Sequence, residues 1–570
     1  MKKRFLIGMV LPLTAASFVV GCRPTSSGDK IDVTKTQIYI NNFKRGFGSK
    51  WLDDLKTRFE SLHAEDSYEE GKKGVEIIIH SIGSTADSRK ANILSGVDEI
   101  YFTEQSYYYD LIKYEKDGVL YDITDAVKNP LTEYGETKSI EDKLTEEQKD
   151  YFYYQNEGGE KKYYALPHYA GYFGLQYDID VFDNYMFYFA KNPISPEYPF
   201  IRDLTDEKTA GPDGVEGTFD DGLPRTYDEF FKLCDYMVEN DVIPFISTGA
   251  NANDYLNLLV NAFAADYAGK DNTVAKFKAS GTVSRLGNVD SNGNVTPIPD
   301  ETLTIDTGYR AYKSLGFYYG LEFLKKLTSN KNYYFRGANG SGGLDSSAYS
   351  AKSAQDEFLI SYRDSKRGKS KDIAMISEGI WWEAESETTS ETLSGGNPNS
   401  PYAKMNRHFG FMPFPKATME RYEESNKNTL FDHLFSLMFV KRNVASWKAP
   451  LLLDFMRFAN TDESLRAFTR ITNTPKSLNY TMTDEDKAQM TAYGRNLIEL
   501  KENSDIVYPG NSSTIYQLNS GWFHHNSQYS ALIDGVRNDY VWQALPKVSA
   551  ATYYNGMYAY YSDYWKNLAK

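Results

Sequence analysis

The sequence predicts an α/β protein built on mostly parallel sheets with helices on both faces, on three observations. Short apolar runs alternate with segments of helical periodicity over the first part of the chain, to about residue 125. A second such alternation starts near "YYALPHYAGYFGLQYD" (163–178). The residues beyond position 21 are numerous enough for two or three sizeable cores.

The first 21 residues stand apart from that fold. Lys2, Lys3 and Arg4 form a positive n-region, and Phe5 to Val20 form an apolar stretch too short to span a membrane comfortably. Val19-Val20-Gly21-Cys22 resembles the lipobox of bacterial lipoproteins, in which the cysteine becomes the lipidated first residue. The alternative is an ordinary signal peptide with a chance cysteine. "RPTSSGDKIDVTK" is polar and lacks apolar periodicity, so residues 22–35 read as a flexible tether. Two acyl chains on Cys22 would supply the double anchor that stable membrane attachment needs. The expected location is the outer face of the cytoplasmic membrane.

The elements follow in order. "TQIYIN" (36–41) is a short strand, and Trp51, Leu52, Leu55, Phe59 and Leu62 recur at helical spacing from about Ser49. "VEIIIH" (75–80) is a buried strand, and a helix through "SRKANILSG" leads to the strand "EIYF" (99–102). Another helix covers about 106–116. Further on, Thr226 with Glu229 forms a capping-box signature ahead of a helix at 224–240. "VIPFIST" (242–248) is the next strand, and "DYLNLLVNAFAADYAG" is a helix that ends at Gly269. Residues 270–310 lose helical periodicity, and their Asn-Gly pair points to an inserted hairpin. "GANGSGGLDSS" (337–347) is a flexible loop without the Gly-Lys-Ser/Thr ending of a phosphate loop. "KAPLLLDFMRFAN" is helical, and the chain finishes in an aromatic tail at 552–565.

Composition narrows the function. A formal net charge of −15 lacks the basic footprint of a nucleic-acid partner and disfavours a polyanionic ligand, a local basic pocket excepted. The 46 tyrosines combine an apolar face with a polar tip, which suits either a wet recognition surface or aromatic pairs between strands. Cys234 is the one cysteine besides Cys22, so a lipidated Cys22 leaves no intrachain disulfide. Its place on the apolar face of a predicted helix makes it a small buried hydrophobe. Catalytic signatures such as HExxH and GxSxG are missing, and His524-His525 lack metal-ligand spacing, so no enzyme is expected.

Five segments in order resemble the family 1 extracellular solute-binding proteins, carbohydrate receptors of ABC importers typified by maltodextrin-binding protein. They are "IYINNFKRGFGSKWLDDLKTRFE", "GVDEIYFTEQSYYYDLIKYEKDGVLYDITDAV", "YALPHYAGYFGLQYDIDVFD", "LPRTYDEFFKLCDYM" and "DIAMISEGIWWE". With "FGFMPFPK" and "APLLLDFMRFANTDESLRAF" the likeness covers most of 36–525. Stretches near 190–225, 270–310 and 383–402 extend beyond the family pattern. The resemblance implies a two-lobe periplasmic-binding-protein-like, or Venus-flytrap, fold that closes on a sugar. It implies chain crossings near 165–172, 413–435 and 473–478. The N-terminal lobe would then comprise 36–168 with 425–475, and the C-terminal lobe 169–424 with 476–570. Its implied partners are an oligosaccharide and the transmembrane subunits of an ABC permease, with the receptor acting as a monomer without a required cofactor.

A pyranose shows a C–H patch and a rim of hydroxyls, so its site calls for an aromatic face flanked by planar polar groups. In the family the tryptophan after "AM…G" stacks on sugar, and Trp381 holds that position here. Trp382 is the other choice, and a third reading buries both. The same carry-over marks Asn41, Asn42, Phe43 and Lys44 after the first strand, and Phe102, Glu104, Gln105 and Tyr107 after the third. It also marks His168 and Tyr169 at the first crossing, Asn251, Asn253 and Tyr255 after "PFIST", and Trp522 near the end. His168 reads equally as a hinge histidine. Separately, "GPDGVEGTFDDG" places Asp213, Glu216, Asp220 and Asp221 among glycines, which suits either a structural calcium ion or a solvated turn. Competing readings are a receptor for peptide or charged sugar, a surface glycosidase, and an adhesin.

Overall fold

A computed structural model describes residues 31–44, 46–81, 93, 95–103, 108–113, 118–155, 159–433, 436–524, 532–533, 536–537 and 541–569. Cys22 and most of the expected tether lie outside the described residues, as do Glu104, Gln105, Tyr107 and His525. So does most of the helix expected through residues 88–96.

Two sheets organise the chain. The first runs, edge to edge, Val75–Ser81, Thr36–Asn42, Ile100–Thr103, Leu437–Val440 and Leu166–Pro167. Its first three strands are parallel, and the last two pairings are antiparallel. The second sheet is ordered Phe409–Phe411, Phe173–Asp178, Ile373–Gly379 and Ile243–Ile246. Only the pair 243–246 with 373–379 is parallel there. The expectation of mostly parallel sheets is therefore corrected: both are mixed, the first because Leu437–Val440 returns to it after the chain has visited the other sheet, the second because Phe173–Asp178 pairs antiparallel with strands that follow it within residues 373–411. Every strand of the second sheet is buried on nearly its whole length, as a sheet covered by helices requires.

Local chemistry explains the elements. The helix Lys50–Leu62 buries Trp51, Leu52, Leu55 and Phe59 on one face; Leu62, in its last turn, stays exposed. Thr226 caps the helix Tyr227–Glu239 by accepting the Glu229 N–H at 3.3 Å. The expected reciprocal half of the capping box is replaced: the Glu229 carboxylate accepts from the Arg225 N–H at 2.7 Å and pairs with its guanidinium. The extension holds a hairpin, Leu286–Val289 with Val295–Ile298, whose turn uses Gly293 at φ +86°. It also holds a short helix, Lys270–Lys278, where the sequence shows no helical periodicity.

Three segments pass between the sheets and are tied together. The Ala170 N–H donates to the Pro475 carbonyl at 3.2 Å, and the His433 N–H to the Gly171 carbonyl at 3.1 Å. Asp432 accepts from the Gly171 N–H and from the Ser477 hydroxyl, both at 3.2 Å. These are the places where the resemblance implied crossings. Among the described residues no helix is long and apolar enough to cross a membrane.

Candidate functional site: a cavity between the sheets

The strands 243–246 and 373–379 lie parallel and side by side, so their carboxyl ends open on the same edge. The chain leaves the first into the helix Ala252–Ala268 and the second into Trp381. Between them and the hinge lies a cavity of about 520 Å³.

Trp381 is placed by glycine. A Cβ on Gly379 would fall 2.2 Å from the indole Cη2, so only a glycine lets the ring fold back over the strand end. The indole is partly buried, packs against both cores and lines the cavity. Trp382 points the other way. It is fully buried and edge-on to Phe409 at 5.0 Å and Phe358 at 5.5 Å. The choice between the tryptophans is thereby decided in geometry: Trp381 is wall and Trp382 is core.

Tyr169, Asn251 and Tyr255 join Trp381 on the same cavity. Tyr169 comes from the hinge and packs on Phe47 with ring centroids 4.4 Å apart. Tyr255 stands edge-on to Phe173 at 5.1 Å, and its hydroxyl is hydrogen-bonded to Glu378. Glu378 is buried in the strand beneath. Burial, with Glu385 beside it, pushes its carboxyl up to about 8, so it holds a proton at neutral pH. The Gln355 amide donates to both carboxyl groups, at 3.1 Å to Glu378 and 2.7 Å to Glu385, which lines the cavity.

The other expected residues lie elsewhere. Asn41 is buried and donates to Asp98 at 2.8 Å, and Asn42 is buried and reaches the Gly48 carbonyl at 3.4 Å. Phe43, half-buried, and Lys44, exposed, do not line the cavity. Phe102 is a core residue, edge-on to Trp51 at 5.0 Å. His168 is buried behind Trp51 and accepts from Lys476 at 2.6 Å; burial, then that lysine, holds its imidazole well below the usual range. It is the hinge histidine of the two readings. Asn253 sits on the cleft helix away from the cavity wall. Trp522 is corrected to core: it is buried among Tyr561, Trp565 and Phe523.

Sequence reasoning missed much of the wall. Asp254, Asn257 and Asn261 recur at helical spacing on one face of 252–268 and all line the cavity. Their recurrence along one face of a mostly apolar helix was the signal for them. Lys276 and Phe277, from the extension beyond the family pattern, and Tyr312 just after it also line the cavity. The acidic loop spends its groups locally. Asp220 accepts from Thr218 and from the Asp213 N–H at 3.0 Å, and Asp221 accepts from the Gly217 N–H at 2.8 Å. Glu216 pairs with Lys191. Among the described residues no three His, Cys, Asp or Glu side chains are grouped as a metal site needs.

Solved structures match this arrangement along nearly the whole chain. A chitin oligosaccharide binding protein aligns over 93% of this chain and 98% of its own, with a TM-score of 0.51 at 14% identity. A structure from work on xylan utilization by the thermophilic bacterium Caldanaerobius polysaccharolyticus aligns over 92% and 99%, with a TM-score of 0.52 at 13% identity. The chain has the two-lobe solute-binding fold. No family model and no curated protein matches the sequence.

Proposed function

We propose that this protein is a binding protein of an ABC importer, anchored by lipid at Cys22 on the outer face of the membrane, that takes an oligosaccharide between its lobes and delivers it to the permease. The observation that carries the reading is the wall of the cavity. Trp381 follows a strand of the second sheet and Tyr255 lies on the helix after its neighbouring strand, Tyr169 comes from the hinge, and Asn251, Asn257 and Asn261 stand beside them. Aromatic faces with planar amides are what a pyranose requires of its site. The words describing the two neighbours, a chitin oligosaccharide and xylan, support a saccharide. The described wall holds no arginine, so the bidentate clamp that would favour a peptide ligand is missing from it. The receptor works as a monomer and needs no cofactor for binding.

The test is intrinsic tryptophan fluorescence and melting temperature across a panel of oligosaccharides. A saturable shift with one glycan class, and no product formed, is expected. Turnover of a glycoside would replace the reading with a glycosidase, and silence across the panel would end the oligosaccharide reading.

A further inference from the structure

The extension that narrows the cavity brings a lysine to its wall. Lys276 lies on the helix 270–278, with its ammonium 4.5 Å from the Tyr312 ring centroid and 5.7 Å from that of Phe277. Lys276 is half-buried against the cavity, and most of the fully buried lysines have an anion or carbonyl beside them. Lys416 pairs with Asp266 at 2.7 Å, Lys448 with Glu99 at 2.6 Å, and Lys143 with Glu136 at 2.6 Å. Lys276 has neither among the described residues, only the two aromatic rings. Burial pushes its ammonium down to about 8, with no carboxylate offsetting that, so it still carries its charge at neutral pH.

Asn257 and Asn261 share this wall, and neither side-chain amide is bonded within the protein among the described residues. The cavity thus offers one cation and two amides whose bonding capacity is unspent. A ligand filling it would strip the remaining water from Lys276. An ammonium cut off from water is costly unless an anion or strong acceptors replace the water. A sugar hydroxyl is a weak substitute, because a charge-assisted hydrogen bond is roughly twice as strong as a neutral one.

We propose that the cavity takes an acidic oligosaccharide, with a single anionic substituent seated at Lys276 and ring hydroxyls on Asn257 and Asn261. The inference rests on the receptor reading above and narrows its ligand class. One anionic group is the fitting number. Lys276 is the only lysine or arginine on the described wall, and Asp254 and Glu385 on the same wall repel further negative charge. A uronic acid carboxylate and a sulfate ester share the required chemistry.

The experiment is calorimetric titration of the purified full-length chain with matched sets of short oligosaccharides: uronate-bearing, its methyl ester, sulfated, and neutral. At least one acidic member is expected to bind at least tenfold tighter than its neutral counterpart. Lys276→Met should shrink that gap to threefold or less with an unchanged melting temperature, and Lys276→Arg should keep it. The carboxylate and sulfate arms distinguish the two sources of charge. Neutral members binding as tightly as acidic ones, or a gap that survives Lys276→Met, would overturn the proposal and leave the receptor reading standing. Failure of every saccharide, neutral and acidic, would overturn both.

Discussion

Gly46 and Trp381 meet across the cavity: a Cβ placed on Gly46 would lie 3.0 Å from the Cβ of Trp381 and 3.1 Å from its Cγ. Gly46 belongs to the loop between the first strand and first helix of one sheet's layer, and Trp381 to the end of a strand in the other sheet. Their approach is therefore a contact between the two layers. It is also made by backbone that favours glycine, at φ +78°.

Gly46→Ala should weaken ligand binding about tenfold, roughly 1.4 kcal/mol, by straining the loop and crowding the indole. Small-angle scattering of the ligand-saturated variant should show a more open molecule than wild type. Wild-type affinity in this variant would remove the contact from the closing mechanism.

The adjacent tryptophans should separate binding from stability. Trp382→Ala empties a fully buried site between Phe358, Phe409 and Tyr493 and should cost about 3–5 kcal/mol of stability. Trp381→Ala removes a half-buried ring from the cavity wall and should weaken saccharide binding by about 2 kcal/mol or more while the protein stays folded. Denaturant unfolding and titration of both variants provide the check, and equal loss of stability in the two would contradict the assignment.

Glu378 sets a pH dependence. Its carboxyl is raised from an ordinary 4.5 to about 8 in the folded protein, so between those values the native state holds a proton that the unfolded state has released. Stability contributed by this group is therefore present below the ordinary value and is lost as pH rises through the folded one. Glu378→Gln, which mimics the protonated form, should raise the melting temperature relative to wild type more at pH 8 than at pH 5. A difference independent of pH would show that Glu378 is not protonated in the native state.

Calcium is the remaining sequence expectation with a simple test. Since Asp213, Asp220 and Asp221 are engaged in turns of their own loop and Glu216 in an ion pair, neither millimolar calcium nor EDTA should move the melting temperature by more than about 1 °C, roughly the shift that 1 kcal/mol produces in a chain of this size. A larger rise with calcium would restore the loop as a structural metal site.

How far the site was legible depended on which force placed each residue. Trp381 follows a glycine on which its ring folds back, and both are neighbours in sequence, so "GIWW" already contained the relationship. Asn251 and Tyr255 begin the helix that follows a strand, where open sheets bind ligands. Asn41, Asn42 and Phe102 follow or end strands too, yet their side chains fill the first lobe instead. Position after a strand does not reveal which groups a neighbouring element covers. His168 shows the same limit: only the arrival of Lys476, from a distant part of the chain, makes it a hinge residue rather than a sugar donor.

By itself the sequence determined the elements and their class. Apolar period, caps and glycine turns are local, and they specify the strands at 36–42, 75–81 and 243–246 and the helices at 50–62, 227–239 and 252–268. Tertiary structure alone decided the mixed strand order, because returning strands pair with partners hundreds of residues away. It alone brought Lys276 and Tyr312 to the same cavity as Trp381. A cavity wall is assembled from burial and approach between remote segments, and no periodicity in the chain encodes those.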